Sequence, residues 1–198
     1  MLITKNDIQK YDRVSRLKLI NSIPGIRSVH LIGTKSNTNT NLAIFSSVTH
    51  LGSNPPLLSL IGRPSDDIKR DTLENIKKTK YYTINSVEQN IIKNAHQTSC
   101  KYPKEVSEFK ECQLTEYYID KFYAPFVKES NIKIGIKFLN SIKIKQNNTE
   151  LIIGEIQLIQ LKYKDLEKNF TTNNGVIGLN SYYRFKKTKE LEYCRLKN

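Results

Sequence analysis

Residues 41–72 read NLAIFSSVTHLGSNPPLLSLIGRPSDDIKRDT, and the fold turns on how that stretch is parsed. Two apolar runs are separated by a Gly-Ser-Asn-Pro-Pro turn and followed by a polar loop and a helix start. The first run, 42–49, is rich in β-branched and hydroxyl side chains. The second, 57–61, is almost unbroken apolar and stops at Gly62-Arg63-Pro64. Short runs bounded by turn clusters favour strands over helices. Neither nitrogen of Pro55-Pro56 can donate to a ladder, so the chain is expected to leave the sheet there. Next, DDIKRDTLENI (66–76) opens a helix, with Asp71 and Glu74 at capping-box spacing and Asp71 or Asp67 as its N-cap. A helix amino terminus offers unpaired N–H groups and partial positive charge to a phosphate. Arg63, Lys69, Arg70 and Thr72 lie within a few residues of it, while the neighbouring aspartates would repel the same anion.

Outward from this stretch the pattern stays β-rich. Val14, Leu17 and Ile20 have helical spacing in DRVSRLKLI (12–20), which stops at Pro24-Gly25 and is expected to pack across one end of a sheet. IRSVHLIG (26–33) reads as a first strand and 34–40 as a polar loop. Residues 81–87 form another strand, 88–96 a helix with Ile91, Ile92 and Ala95 on one face, and 97–109 a polar loop. Residues 114–126 are aromatic and irregular. In 132–138 apolar residues alternate with Lys133, Gly135 and Lys137, so the lysines are expected to point away from a buried face. A turn at 146–148 leads to a longer apolar strand, 151–163, with Gly154 as a candidate bulge. The sum is one mainly β (α+β) domain over 1–198, with 1–25 as a helical extension and three short helices. An antiparallel split β-barrel of Greek-key type is expected, because so many strands must hide their edges.

Composition narrows the function classes. The chain has 198 residues, 38% hydrophobic and 26% charged, which is ordinary globular material. Its net charge of +13 attracts anions. The lysines are spread along the chain, however, and form no basic arm. That distribution favours anionic small ligands over nucleic acid, although a basic β-barrel binding single-stranded nucleic acid is the competing reading. Three cysteines, Cys100, Cys112 and Cys194, form no CxxC pair, and no apolar run is long enough to span a membrane. A cytoplasmic protein without membrane partners is expected. His30, His50 and His96 lack metal-ligand spacing, and no G-x-G-x-x-G fingerprint occurs.

The order NLAIFSS, NPPL, RP and RDTLENI resembles the flavin reductase-like family of FMN-binding split-barrel proteins. Later blocks extend the likeness: AHQTS (95–99), Tyr102-Pro103, Ser107-Glu108-Phe109, IGEI (153–156) and GLNSYYR (178–184). The resemblance covers roughly Ile26 to Arg195 and implies an oxidoreductase carrying FMN, with NADH or NADPH as hydride donor. It also implies a homodimer and a possible flavin-accepting monooxygenase partner; some relatives bind FMN without reductase turnover. It points to Asn41, Ala43, Phe45, Ser46 and Ser47 as flavin contacts, and to Arg63, Arg70 and Thr72 around the phosphate. His96, Ser99 and Tyr102 would border the flavin. No catalytic acid, base or metal ligand is implied. Without the resemblance, the strand serines read as solvent-facing, and Arg63 and Thr72 as an ordinary surface arginine and helix-start threonine. Tyr182, Tyr183 and Arg184 could cover the flavin, receive a nicotinamide nucleotide, or pack in a core or dimer interface.

Overall fold

The computed structural model describes residues 1–64, 71–170 and 174–194. Its main element is a seven-stranded antiparallel sheet. The strands are β2 (His30–Lys35), β3 (Thr40–Phe45), β4 (Thr49–Ser53), β5 (Pro56–Gly62), β6 (Tyr81–Ser86), β9 (Ile132–Ile144) and β10 (Thr149–Leu161), in the order β3-β2-β6-β9-β10-β5-β4. The two edge strands, β3 and β4, are consecutive in the chain and joined by residues 46–48. Laid flat, seven strands would hold their edges about 29 Å apart at the usual inter-strand spacing. Three linking residues reach only about 11 Å beyond the strand ends. The sheet must therefore curl until its edges approach each other.

No ladder closes the gap, so the sheet remains open. A side chain fastens the link to β5 just beyond the last β4–β5 pair. Ser47 Oγ accepts from the Ile61 amide at 3.1 Å and donates to the Ile61 carbonyl at 3.3 Å. Of the expected split barrel, the structure has a curled open sheet, mostly β with a few short helices. The run 42–49, expected as one strand, is broken at 46–48 because this segment crosses the seam. Pro56 does not leave the sheet. It opens β5 opposite Ser53, and the first residue of a strand is a position where a missing donor is tolerated.

Strand alternation supplies two cores. Ile32, Leu60, Tyr82, Ile84, Ile136 and Ile152 fill the concave side, joined by Leu73 and Ile76 from α3 (Asp71–Thr79). Leu31, Leu42, Val87 and Val127 pack on the other side with Ile91 and Ala95 around α4 (Ile92–Gln97), and with Phe109 of α5 (Glu108–Glu111). Adjacent Leu31 and Ile32 are both fully buried, one in each core. The β9–β10 register shifts between Ile153 and Gly154, confirming the expected bulge. A Cβ at Gly154 would meet Tyr82 Oη at 2.5 Å.

Two expectations fail through tertiary covering. Lys137 is exposed, but Lys133 is only 7% exposed. Its ammonium donates to the Ser130 carbonyl and lies 5.7 Å from the Tyr117 ring centre. The outer face of β9 is covered here by the segment carrying β7 (Glu116–Tyr117) and β8 (Phe126–Val127), with Phe122 against Gly135. The second failure is at the amino end. α1 (Lys5–Lys10) and α2 (Arg13–Ser22) bury no residue, so α2 does not seal the end of a sheet. It stands beside a small sheet of β1 (Arg27–Ser28), β11 (Asn174–Ile177) and β12 (Ser181–Arg184), where Arg27 donates to Asn21 O and Gly178 O. Among the described residues, five α-helices replace the expected three.

Gly33 lies where β2 passes under the backbone of Pro125. A Cβ there would fall 2.5 Å from Thr83 Oγ1 and would also overlap the Pro125 carbonyl oxygen. Gly33→Ala is therefore expected to cost about 1–3 kcal/mol, read as a lower urea midpoint at unchanged m value.

Candidate functional site

Two side-chain amides fasten the amino end of α3 to the sheet. Thr34 and Asn41 are cross-strand partners on β2 and β3, so they point to the same face. Thr72 and Asn75, three apart on α3, share a helix face. Asn41 Nδ2 donates to Thr72 Oγ1 at 3.0 Å, and Asn75 Nδ2 donates to Thr34 Oγ1 at 3.2 Å. The four polar side chains form a matched two-by-two contact, with Thr34, Thr72 and Asn75 all buried. Asp71, expected as a possible N-cap, lies within the first helical turn. Asp67, Lys69 and Arg70 lie outside the described residues.

Three pieces of chain are linked in series next to this contact: the crossover 46–48 bonds to the exit of β5 through Ser47, and that exit packs against Leu73 at the start of α3. Gly62 makes the approach of β5 and α3 possible, since a Cβ there would lie 2.8 Å from Leu73 Cδ2. Arg63 follows directly. It is exposed and makes no hydrogen bond or ion pair among the described residues. The half-buried Ser46 hydroxyl likewise bonds to none of them. Ser47 differs, because its donor and one acceptor site are already committed to Ile61, leaving one lone pair. Ala43 and Phe45 share the Asn41 face of β3 by alternation. Phe45 packs on the concave core. Opposite it on β2 stands His30, whose Nδ1 is buried without a partner among the described residues. Burial lowers the imidazole to about 4.

Acidic groups shape the neighbouring surface. A niche of about 10 Å³, lined by Ser36, Asn39, Asn41, Asp71, Asn75 and Lys104 among others, has room for one water and no more. Lys104 Nζ lies 3.9 Å from Asp71 Oδ1 and 3.6 Å from Glu74 Oε2, offsetting the acids of the first turn. Glu108 blunts the free edge of β3, its Oε2 accepting the Leu42 amide at 3.0 Å. Burial pushes this carboxyl above its usual range; the Leu42 amide opposes the shift and Asp71 adds to it. Neither Glu108 nor His30 stood out from sequence as part of this region. Only the SEF block around Glu108 carried a signal.

His96, Ser99 and Tyr102 form a second group. Tyr102 packs on the outer core with Leu42 and Ile44, which occupy the face of β3 opposite Asn41, Ala43 and Phe45. Its hydroxyl accepts from Gln97 Nε2 at 3.1 Å. His96 Nδ1 lies 2.8 Å from Tyr182 Oη, while the Ser99 side chain is exposed. The structure thus brings Asn41 to Thr72, and Ser47 to the end of β5, but keeps these three apart from them.

With that geometry in place, the kinship of the chain is clear. The model of the flavin reductase like domain matches residues 26–180, and the chain belongs to that family, one of flavin-related oxidoreductases. It is similar to the crystal structure of a candidate flavin reductase with a split barrel domain from Shewanella frigidimarina NCIMB 400. The two are 41% identical with a TM-score of 0.91, covering 98% of this chain and 100% of the other. It shares its fold with nitrilotriacetate monooxygenase component B from Bacillus cereus, at 19% identity and TM-score 0.83, over 96% of this chain and 98% of that one. An uncharacterized protein of Aquifex aeolicus (strain VF5) is 25% identical over 84% of this chain and 85% of its own length. No helix among the described residues is long and apolar enough to cross a membrane.

Two measurements check this geometry. In a double-mutant cycle, Asn41→Ala and Thr72→Val should show a coupling of about 0.5–1.5 kcal/mol in unfolding free energy. Strict additivity would mean the pair does not form. For Glu108, the folded carboxyl binds its proton more tightly than the unfolded one, so stability is fully present at low pH and declines as pH rises through its raised value. Glu108→Gln should remove that part of the decline in urea titrations at successive pH values above the ordinary carboxylate range.

Proposed function

We propose that the chain binds FMN where the 46–48 crossover, the β5 exit and the amino end of α3 converge, and that it works as an NADH- or NADPH-dependent flavin reductase. The observation that supports this best is the convergence itself. A cation without a described partner, Arg63, follows the β5 exit, an unengaged hydroxyl, Ser46, opens the crossover that Ser47 bonds to that exit, and Leu73 in the first turn of α3 packs on Gly62 there. That donor set suits a phosphate and a polar heterocycle edge. Arg63 and Thr72 would hold the phosphate, with Arg70 from the residues outside the described set. Asn41, Ala43, Phe45, Ser46 and the remaining lone pair of Ser47 would line the ribityl chain and ring. His96, Ser99 and Tyr102 lie on the opposite face of β3, so in this reading they would reach the flavin only around that edge strand.

When bound, FMN supplies the two-electron chemistry, accepting hydride from the nicotinamide. The protein positions the rings, compensates phosphate charge and keeps out water, and no side chain is required to move a proton in that transfer. The assembly we propose is a cytoplasmic homodimer. A monooxygenase that consumes reduced flavin is the partner suggested by the name of the Bacillus cereus neighbour. Retention of FMN without turnover is the main competing outcome.

Purified protein should be yellow with a flavin absorption spectrum that NADH or NADPH bleaches under anaerobic conditions. A yellow protein bleached by neither is a flavin carrier without reductase turnover, and a colourless one that takes up no added FMN overturns the reading. Arg63→Ala should weaken FMN binding about 10- to 100-fold, the loss of one charge-assisted phosphate contact. Equal flavin affinity in the variant would remove Arg63 from the phosphate site.

A further inference from the structure

We propose that a groove between β12 and the start of α4 binds a planar aromatic ring that carries a carboxylate or phosphate. The groove has a volume of about 370 Å³ and is lined by Gln89, Ile92, Asn174, Tyr182, Tyr183 and Arg184. That volume lies within the range of small-molecule sites, and its lining has their usual make-up, aromatic and apolar walls with a few placed polar groups. None of the lining residues is among those proposed to hold FMN, and the groove touches that reading only through His96, which is bonded to Tyr182.

The walls are held before any ligand arrives. Tyr182 Oη lies 2.8 Å from His96 Nδ1, and the two rings meet edge-on, with centroids 5.7 Å apart and planes at 87°. This contact fixes the half-buried Tyr182 ring as one side of the groove. Asn174 is 2% exposed and pinned by its Nδ2 donating to the Val87 carbonyl at 2.8 Å. It forms a rigid polar floor. Ile92 supplies an apolar surface from α4, and the Gln89 amide stands at the rim.

Chemistry selects the ligand class. Tyr182 and Arg184 are two apart on one strand, hence on the same face and about 7 Å from each other along it. A ring stacked on the tyrosine therefore places its substituent within reach of the guanidinium, which grips carboxylate or phosphate in a bidentate fork. Among the described residues no acidic side chain lines the groove, which disfavours cations and metals. The net charge of +13 favours an anion in the same sense. A free aromatic acid and a nucleotide share this chemistry.

Binding of 4-hydroxybenzoate, adenosine 5′-phosphate, inorganic phosphate and neutral 4-hydroxybenzyl alcohol to the full chain separates the sources. It is read by ligand-observed NMR and equilibrium dialysis with FMN in saturating amount, so that occupation of a flavin site is not counted. At least one aromatic anion should bind at least tenfold more tightly than the neutral alcohol and than phosphate alone. Preference for the benzoate assigns the groove to aromatic acids, and preference for the nucleotide assigns it to nucleotides. Arg184→Gln, at an exposed position, should weaken that binding about tenfold or more with unchanged circular dichroism. Ile92→Glu should abolish it by placing a carboxylate in the groove. The proposal is overturned if neither aromatic anion outbinds the neutral analogue, or if Arg184→Gln binds both as the unaltered protein does.

Discussion

A three-residue link between the two edges of a seven-stranded sheet is the constraint from which the rest of this structure follows. Backbone reach is short compared with the width of a flat sheet, so curling is obligatory. Curling creates a concave interior, and an interior lined by Ile32, Ile84, Ile136 and Ile152 needs a lid. α3 provides it, inserting Leu73 and Ile76. The amino end of α3 is thereby held beside the open seam.

Hydrophobic burial brings α3 to the sheet, but it does not fix where along the sheet the helix stops. Apolar contact is non-directional and tolerates sliding. The Thr34–Asn75 and Asn41–Thr72 bonds remove that freedom, since a shift of one residue would leave buried amides and hydroxyls without partners. Ser47 does the same for the seam, fixing the crossover against Ile61. Polar bonds thus set the register of a site whose existence depends on apolar packing. The Glu108 carboxylate completes the arrangement at the other edge. It satisfies an amide that would otherwise offer β3 for pairing with another chain.

Local pattern was enough to place most elements. The alternation at 132–138, the turn at 146–148, the Gly154 bulge and the helix carrying Thr72 all depend on neighbours a few residues away, and all are present. Readings that depended on distant chain went astray. Lys133 is buried because the 115–127 segment folds over it. The run 42–49 breaks because it must cross the seam, and α2 lies on the surface despite its apolar spacing. The site was legible in the same uneven way. Thr72 at a helix start and Arg63 after a strand end were visible as a spacing, whereas the pairing of Asn41 with Thr72 across 31 positions of chain was not.

By itself, then, the sequence determined the β-dominated composition of strands and turns, and the motif order that marks the flavin reductase like domain. Those are short-range properties, written in side-chain period, glycine and proline placement, and motif spacing. Tertiary structure alone decided that the sheet stays open and that a serine hydroxyl fastens the link at its seam to β5. It also divided the candidate residues between two faces of β3 and shaped a groove against β12. Each of these arises where segments far apart in the chain meet, and the geometry of such a meeting is fixed only once burial and hydrogen bonding are satisfied together.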